Sequence, residues 1–319
     1  MKSENEETKS MAGAKIAMGF IMLILIAVML TCVFANRYLD MINREAPATN
    51  VAADSESIGG ENRMQTVKSI VKPIDDSKLV NVLLVGQDSV PGDDIKRSDS
   101  MILCSVNPET KELVMVSFLR DLYVEIPGYA PNRLNTAYAL GGFELLKQTL
   151  GYNFGVSIDG CFGVNFEGFS KIADTLGGVD IELSTAEAEI IGGGLTAGMN
   201  HLNGRQVLEY TRIRKLDSDF GRTERQRNVL SAMLEGMKDS SAGDIIGLAE
   251  EILPCMTSDM SNAEIMSVLL QCYPALDSDV DTCHVPGEGA YHDANINGMA
   301  VLVPDRQMIR QQLENELPL

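Results

Sequence analysis

Positive charge is what this sequence lacks first. Its 26 Lys and Arg stand against 45 Asp and Glu, a formal net charge of -19. A chain this acidic is repelled at long range by a polyanion, which argues against a general nucleic-acid binder. An anionic ligand stays open wherever positive charge is concentrated locally. Metal-binding spacing is missing as well: the 6 cysteines form no CxxC and no Cys/His pattern. None is a convincing nucleophile. Cys104 sits in a strand-like run and reads as a small core hydrophobe, and a bridge among Cys255, Cys272 and Cys283 is one option. Gly192–Gly194 has no GKS or GxGxxG context, which makes it a loop rather than a phosphate cradle. The chain shows no internal repeat and no second long apolar run.

One such run is present. Ile16 to Ala35 carries no charge and, as a helix, would span about 30 Å, the thickness of a bilayer core. It is longer than a signal-peptide core, and Phe34-Ala35-Asn36 makes a poor cleavage site, so it reads as an uncleaved anchor. Lys2, Lys9 and Lys15 precede it and Arg37 and Arg44 follow, a bias that puts the N-terminus inside. The expected organisation is a cytoplasmic tail (1–15), a transmembrane anchor (16–35), a polar tether (36–78) and a folded domain (79–319) outside the cytoplasm.

Within that domain 45% hydrophobic composition leaves enough apolar residues for a core. Leu79–Gly86, Asp99–Val106 and Lys111–Phe118 are short apolar runs that predict strands, with a turn at Asn107–Thr110. Helical spacing follows over Leu134–Leu150 and Asn165–Leu176, then a strand at Val179–Leu183, and helices near 203–214, 222–238, 242–253 and 261–272. Strand-like segments around Cys283 and Met299 and a last helix from about Pro304 close the chain. Strands alternating with helices predict an α/β fold, a mixed central β-sheet sandwiched by helices.

Two places could carry chemistry. If the Asn107–Thr110 turn closes a regular hairpin, Asp99 faces Phe118 and Arg97 faces Arg120. Asp88, just past the preceding strand, would join the same edge. Two carboxylates there, Asp88 and Asp99, could hold a divalent ion, and hard oxygen ligands favour Mg²⁺. The second place is Arg212 to Arg227, which holds Arg212, Arg214, Arg222, Arg225 and Arg227 with Asp219 and Gln226. The apolar stripe Val229, Leu230, Met233, Leu234, extended backwards, reaches Gln226 and Arg222 in a helix's first turn. Polar groups on a core-facing line need partners, and an anion at a helix N-terminus supplies them. Arginine's planar fork grips two oxygens at once.

The stretches NVLLVGQD, RSDSM, SFLRDLYVEIP, RLNTAYALGG, ADTLGGVDI, NGRQVLEYTRIR and DFGRTERQR, in that order between about Val80 and Lys238, resemble the LytR-CpsA-Psr family of cell-wall glycopolymer transferases. The resemblance implies an apolar groove for a polyprenyl chain, an arginine-lined mouth for its pyrophosphate, and Mg²⁺. It implies transfer of a glycopolymer from a polyprenyl-pyrophosphate carrier to a peptidoglycan sugar hydroxyl, at the surface of the membrane bilayer. Carried over, Asp88 and Asp99 hold the metal. Arg97, Arg120, Arg212, Arg214, Arg222 and Gln226 bind the pyrophosphate, with Arg225 and Arg227 as further members. Asp219 orients arginines or assists the acceptor hydroxyl. Asp88, Asp99, Arg120 and Asp219 form the expected catalytic set. The sequence departs at Val124, where some members carry another arginine. A polyprenyl-pyrophosphate hydrolase and a non-catalytic lipid-phosphate-binding regulator are the competing readings.

Overall fold

The computed structural model describes residues 35–45, 69–88, 97–214, 216, 218–238, 248–275 and 278–319. The expected anchor therefore lies outside the described residues except for Ala35, as do Cys32, most of the tether and the side chains of Asp88 and Arg97. Among the described residues no helix is long and apolar enough to cross a membrane.

The chain divides into two compact units, 1–41 and 42–319. In the first, the described residues form a short helix from Ala35 to Leu39. The second is the α/β fold. Its central sheet is built from β1 (Asn43–Arg44), β2 (Val80–Asp88), β3 (Arg97–Val106) and β4 (Leu113–Phe118), then β7, β10 and β11. Between β4 and β7 (Gly160–Asn165) lie a small pair, β5 (Tyr123–Val124) with β6 (Asn132–Arg133), and helix α1 (Leu134–Phe154). Helix α2 (Phe166–Thr175) leads to a hairpin of β8 (Val179–Leu183) and β9 (Gly198–Leu202) enclosing α3 (Thr185–Ile191). Helices α4 (Gly204–Thr211) and α5 (Asp219–Lys238) precede β10 (Met256–Ser258), α6 (Asn262–Cys272) and β11 (Val280–Val285). A last hairpin, β12 (Tyr291–Ile296) and β13 (Met299–Pro304), ends in α7 (Arg306–Glu316).

The sheet order is β1-β10-β7-β2-β3-β4-β11. β2–β7, β4–β11 and β1–β10 run parallel and the other pairs antiparallel, the expected mixed sheet. Alternation along the strands divides the side chains between its faces. Leu83, Val85, Met101, Leu103, Val116 and Phe118 join Phe143, Leu146, Ile309 and Leu313 in one core beneath α1 and α7. A second core, with Ile181, Leu202, Val207, Val229 and Met233, lies among α4, α5 and the β8–β9 hairpin. Val82, Ile102 and Met115 are buried but belong to neither core. They form an apolar floor on the sheet's second face, the face that α2 and α5 cross.

Several expectations are corrected. The fold begins well before Leu79: β1 pairs with β10, Ile42, Val71 and Ile74 are buried, and the Asp76 carboxylate accepts the Ser157 N–H at 2.8 Å. Polar spacing hid this, because each of these segments carries only one or two inward residues. The β3–β4 turn is longer than read. Val106 pairs with Leu113, with Asn107–Glu112 between them, and Lys111 takes φ 66°. The Asn107 side chain stitches the loop by accepting from Glu109 N–H and donating to Pro318 O. The register consequently slides by two residues, and Phe118 is not Asp99's partner. Helix α1 is kinked at Gly141 and Gly142, where φ of 61° at Gly142 suits glycine and the freed Phe143 N–H goes to Glu45 at 2.9 Å. Val124 is fully buried in the first core, so its position faces away from solvent. Cys255, Cys272 and Cys283 are unbridged.

Candidate functional site

The site is assembled by an irregularity in the sheet. Gly86 pairs with Ser100 and Gln87 with Ser98, leaving Asp99 as the extra residue of a β-bulge. A bulge re-aims a side chain where a regular strand would not. Ser98 turns inward, fully buried and against Met101 S, while Asp99 stands at the strand edge. Asp88 pairs with Arg97 at that edge, so the backbone brings Asp88 and Asp99 onto neighbouring strands. Arg97 lies opposite Asp88 on β2, and the shifted β3–β4 register, which pairs Ile102 with Ser117, takes it out of line with Arg120.

Arg120 follows β4, where Leu119 N–H bonds Val285 O and Arg120 O accepts from Asn135 N–H. Its guanidinium Nη1 meets Asp99 Oδ1 at 2.7 Å, and its Nε lies 3.7 Å from both Asp121 and Asp219. Arg214, between α4 and α5, takes the other Asp99 oxygen at 3.1 Å. Asp219 opens α5, and Arg222 one turn on is 2% exposed. Arg222 Nη2 pairs with Asp219 at 2.8 Å and donates to the Asp99 carbonyl at 3.2 Å. Its Nε and Nη1, and Gln226 Oε1, are buried without hydrogen-bond partners among the described residues.

The expected site residues thus separate. Asp99, Arg120, Arg214, Asp219 and Arg222 form one connected group, with Gln226 one turn along the same helix. Arg212 caps α4 and stacks its guanidinium 4.5 Å above the Phe166 ring, without a bond to Asp99. Arg225 donates to Ile213 O and faces Glu187 in the second core, and Arg227 donates to Ser117 Oγ beneath the sheet. These bonds run to Ile213, Glu187 and Ser117 rather than to Asp99, although the sequence reading set both arginines in the anion clamp. Side chains at successive helical positions fan out by about 100°. Of 222, 225, 226 and 227, only 222 and 226 share a face of the helix with Asp219. Asp121 and Arg133, 3.3 Å apart, are members that the sequence reading passed over, although both stand in quoted motifs, RD and RLNTAY.

Charge burial sets the protonation. Desolvation pushes the Asp219 carboxyl up from its ordinary range, against the pull of Arg222 and Arg120. Desolvation pushes Arg222 down. Arg120 is raised: burial works against its charge, but Asp99 and Asp219 outweigh it. Because Asp219's raised pKa makes its charged form costly, its contribution to stability is present below the unfolded value of 3.8 and lost as pH rises through the folded value. Asp219→Asn is therefore expected to match or exceed the wild-type melting temperature at pH 7, with the difference vanishing as pH falls below the carboxylate range. A clear drop in melting temperature at pH 7 would contradict this. Burial also pushes the Cys104 and Cys283 thiols up to about 12, which keeps them protonated and poor nucleophiles.

Carboxylate oxygens are the right donors for Mg²⁺. Among the described residues, however, no three His, Cys, Asp or Glu are grouped as ligands, and both Asp99 oxygens already face arginines. Arg214 is the exchangeable one, its side chain 55% exposed and on an irregular segment. Carboxylate is the donor class that suits this ion, and Asp99 and Asp88 stand on the neighbouring strands β3 and β2.

The LytR_cpsA_psr family model matches residues 45–317. The chain is 35% identical over 266 residues to a polyisoprenyl-teichoic acid–peptidoglycan teichoic acid transferase TagU of Oceanobacillus iheyensis, covering 79% of each chain. It is 30% identical over 253 residues to the regulatory protein MsrR of Staphylococcus aureus, covering 76% of this chain and 77% of that one. Among solved structures, TagT bound to LIIa-WTA superposes with a TM-score of 0.63 at 27% identity, over 80% of this chain and 97% of that one.

Proposed function

The chain belongs to the LytR_cpsA_psr family, and from that premise we propose that it moves a glycopolymer from a polyprenyl-pyrophosphate carrier to a peptidoglycan sugar hydroxyl. The observation that carries this reading is Arg222: a buried guanidinium with two donors unmatched at the N-terminal end of a helix, beside Arg120 and Arg214. Cations gathered around one point repel by roughly 4 kcal/mol per pair at 4 Å and an effective dielectric of 20. Asp99 and Asp219 offset part of that, and a pyrophosphate offsets the rest.

Phosphoryl transfer needs positioning and charge neutralisation more than a protein nucleophile. The acceptor hydroxyl oxygen bonds to the phosphorus that carries the glycopolymer. The bridging P–O bond breaks, and polyprenyl phosphate leaves with the electron pair. Arg120, Arg214 and Arg222 hold the phosphoryl oxygens and stabilise the charge that develops on them. Asp219, with its raised pKa, accepts the hydroxyl proton. Mg²⁺ held by Asp99 and Asp88 would supply further charge to the pyrophosphate oxygens. An anchor at Ile16–Ala35, with the folded unit outside the cytoplasm, would keep the enzyme beside a substrate that is itself in the membrane.

Incubating the protein with a lipid-linked glycopolymer and peptidoglycan tests this. A covalent glycan adduct with release of polyprenyl phosphate is expected, and chelation of divalent ions should remove it. Polyprenyl phosphate without adduct would indicate a hydrolase. Binding without any turnover would indicate a regulator, the role that MsrR's name gives it.

A further inference from the structure

Arg120 is the hub of the site, yet its own loop does not fix it. Its Nε is buried and makes no hydrogen bond among the described residues, and it lies equally far, 3.7 Å, from Asp121 and Asp219. Which way its fork points therefore depends on how firmly those two carboxylates are held. Asp219 is held by Arg222. Asp121 is held by Arg133 and by strand β13. Its carbonyl accepts the Leu302 N–H at 3.0 Å, and its carboxylate faces Arg133 Nε at 3.3 Å. Arg133 Nη2 in turn donates to Ala300 O at 2.6 Å. The backbone of Arg133 pairs with Tyr123, and Leu122 bridges Leu302, so the head and stem of this arginine are both tied to the same frame.

We propose that Arg133 is a positioning residue: acting through Asp121, and braced on the β12–β13 hairpin, it aims Arg120 at Asp99 and at the pyrophosphate. The physical reason is competition for one cation. With Arg133 present, Asp121 is neutralised and only a weak rival for the Arg120 guanidinium. Without it, a half-buried carboxylate is left with a single cation in reach and draws Arg120 off Asp99. The proposal rests on the lipid-pyrophosphate reading of the site, and it gives a task to the C-terminal hairpin.

A double-mutant cycle over Arg120→Ala and Arg133→Ala tests it, read as direct binding of a short polyprenyl pyrophosphate and as transfer rate. Alone, Arg133→Ala should weaken binding about tenfold and slow transfer by up to about a hundredfold, the scale of a roughly 1 Å misplacement. In the Arg120→Ala background it should cost less than about twofold. Arg133→Met, which keeps the stem and loses the head, should behave as Arg133→Ala. Arg133→Lys should recover part of the loss, since one ammonium can neutralise Asp121 without also reaching Ala300. If Arg133→Ala does not fold, Arg133→Met replaces it in the cycle, and adding Asp121→Asn, which removes the rival carboxylate, should restore binding to within about a few-fold of wild type; no recovery would overturn the proposal. Additive losses would mean that Arg133 touches the ligand itself, and wild-type behaviour of Arg133→Met would mean that it only fills space; either overturns the proposal. A wild type that binds but transfers nothing would sink the transfer reading and leave the binding cycle intact, while a wild type that does not bind would sink both.

Discussion

Arg222→Ala is expected to weaken binding of a polyprenyl pyrophosphate by about a hundredfold or more. The side chain is almost wholly buried and presents Nε and Nη1 with no partner among the described residues, while Nη2 is committed to Asp219 and the Asp99 carbonyl. Hydrogen bonds to charged groups contribute about 1.5–3 kcal/mol each. Two of them lost amount to about 3 kcal/mol at the low end, which is about two orders of magnitude in affinity. Arg222→Lys should fall between. An ammonium retains the charge but cannot hold Asp219 and two phosphate oxygens in one plane. The folded state should suffer less than the affinity. Asp219 keeps Arg120 at 3.7 Å, its raised pKa lets it take up a proton, and deleting Arg222 removes a cation whose burial already disfavours its charge. Titration calorimetry beside a melting curve separates the two effects. Affinity within a few-fold of wild type, in a variant that melts normally, would show that the pyrophosphate is bound elsewhere.

The elements of the sheet were legible because their side chains alternate or cluster. Val80–Asp88, Arg97–Val106 and Leu113–Phe118 all lie where apolar runs predicted strands, and Val229 and Met233 fall on the stripe read for α5. What was not legible was set by contacts distant in sequence. The two-residue slide of the β3–β4 register comes from an Asn107 side chain that bonds its own loop and the carbonyl of Pro318. The bulge at Asp99 sits beside the close pairing of Gly86 with Ser100, where a Cβ on Gly86 would stand 3.0 Å from Ser100 Cβ. Both irregularities leave the expected residues in the site but change their partners. Asp99 meets Arg120 instead of Phe118. Arg225 and Arg227, indistinguishable by composition from Arg222, were resolved only by the direction in which each leaves the helix. Asp121 and Arg133 carried a signal, since each is a charge inside a motif, but the brace on Arg133 comes from Ala300 on β13, 167 residues downstream.

The charge arrangement also explains why an acidic chain can hold an anion. The net charge of -19 describes the surface as a whole, whereas the site sets Arg120, Arg133, Arg214 and Arg222 against Asp99, Asp121 and Asp219. Each carboxylate is shared by at least two arginines or competes for one, so the free protein is nearly self-neutralised. An arriving pyrophosphate takes over donors that the carboxylates hold loosely, of which Arg214 is the most exposed. Solvent-exposed pairs contribute little and exchange readily. The buried Arg222–Asp219 pair stays as the fixed frame.

Asp99→Asn should separate binding from chemistry. The carboxylate neutralises Arg120 at 2.7 Å and Arg214 at 3.1 Å. Asparagine keeps its size and can still accept a hydrogen bond, but it returns a full positive charge to the mouth of the site. Unpaired cations about 4 Å from a phosphate attract it with roughly 4 kcal/mol each at an effective dielectric of 20. The affinity for polyprenyl pyrophosphate should therefore hold or rise. Turnover should fall by about a thousandfold, the scale seen when a group that stabilises transition-state charge is removed, because Arg120 loses the anchor that aims it and the proposed ion loses a ligand. The rate that remains should no longer respond to Mg²⁺. Donor affinity and single-turnover transfer, each measured with and without Mg²⁺, read the three expectations independently. A parallel fall in affinity and turnover, with the Mg²⁺ response intact, would assign Asp99 to holding the arginines in place and nothing more.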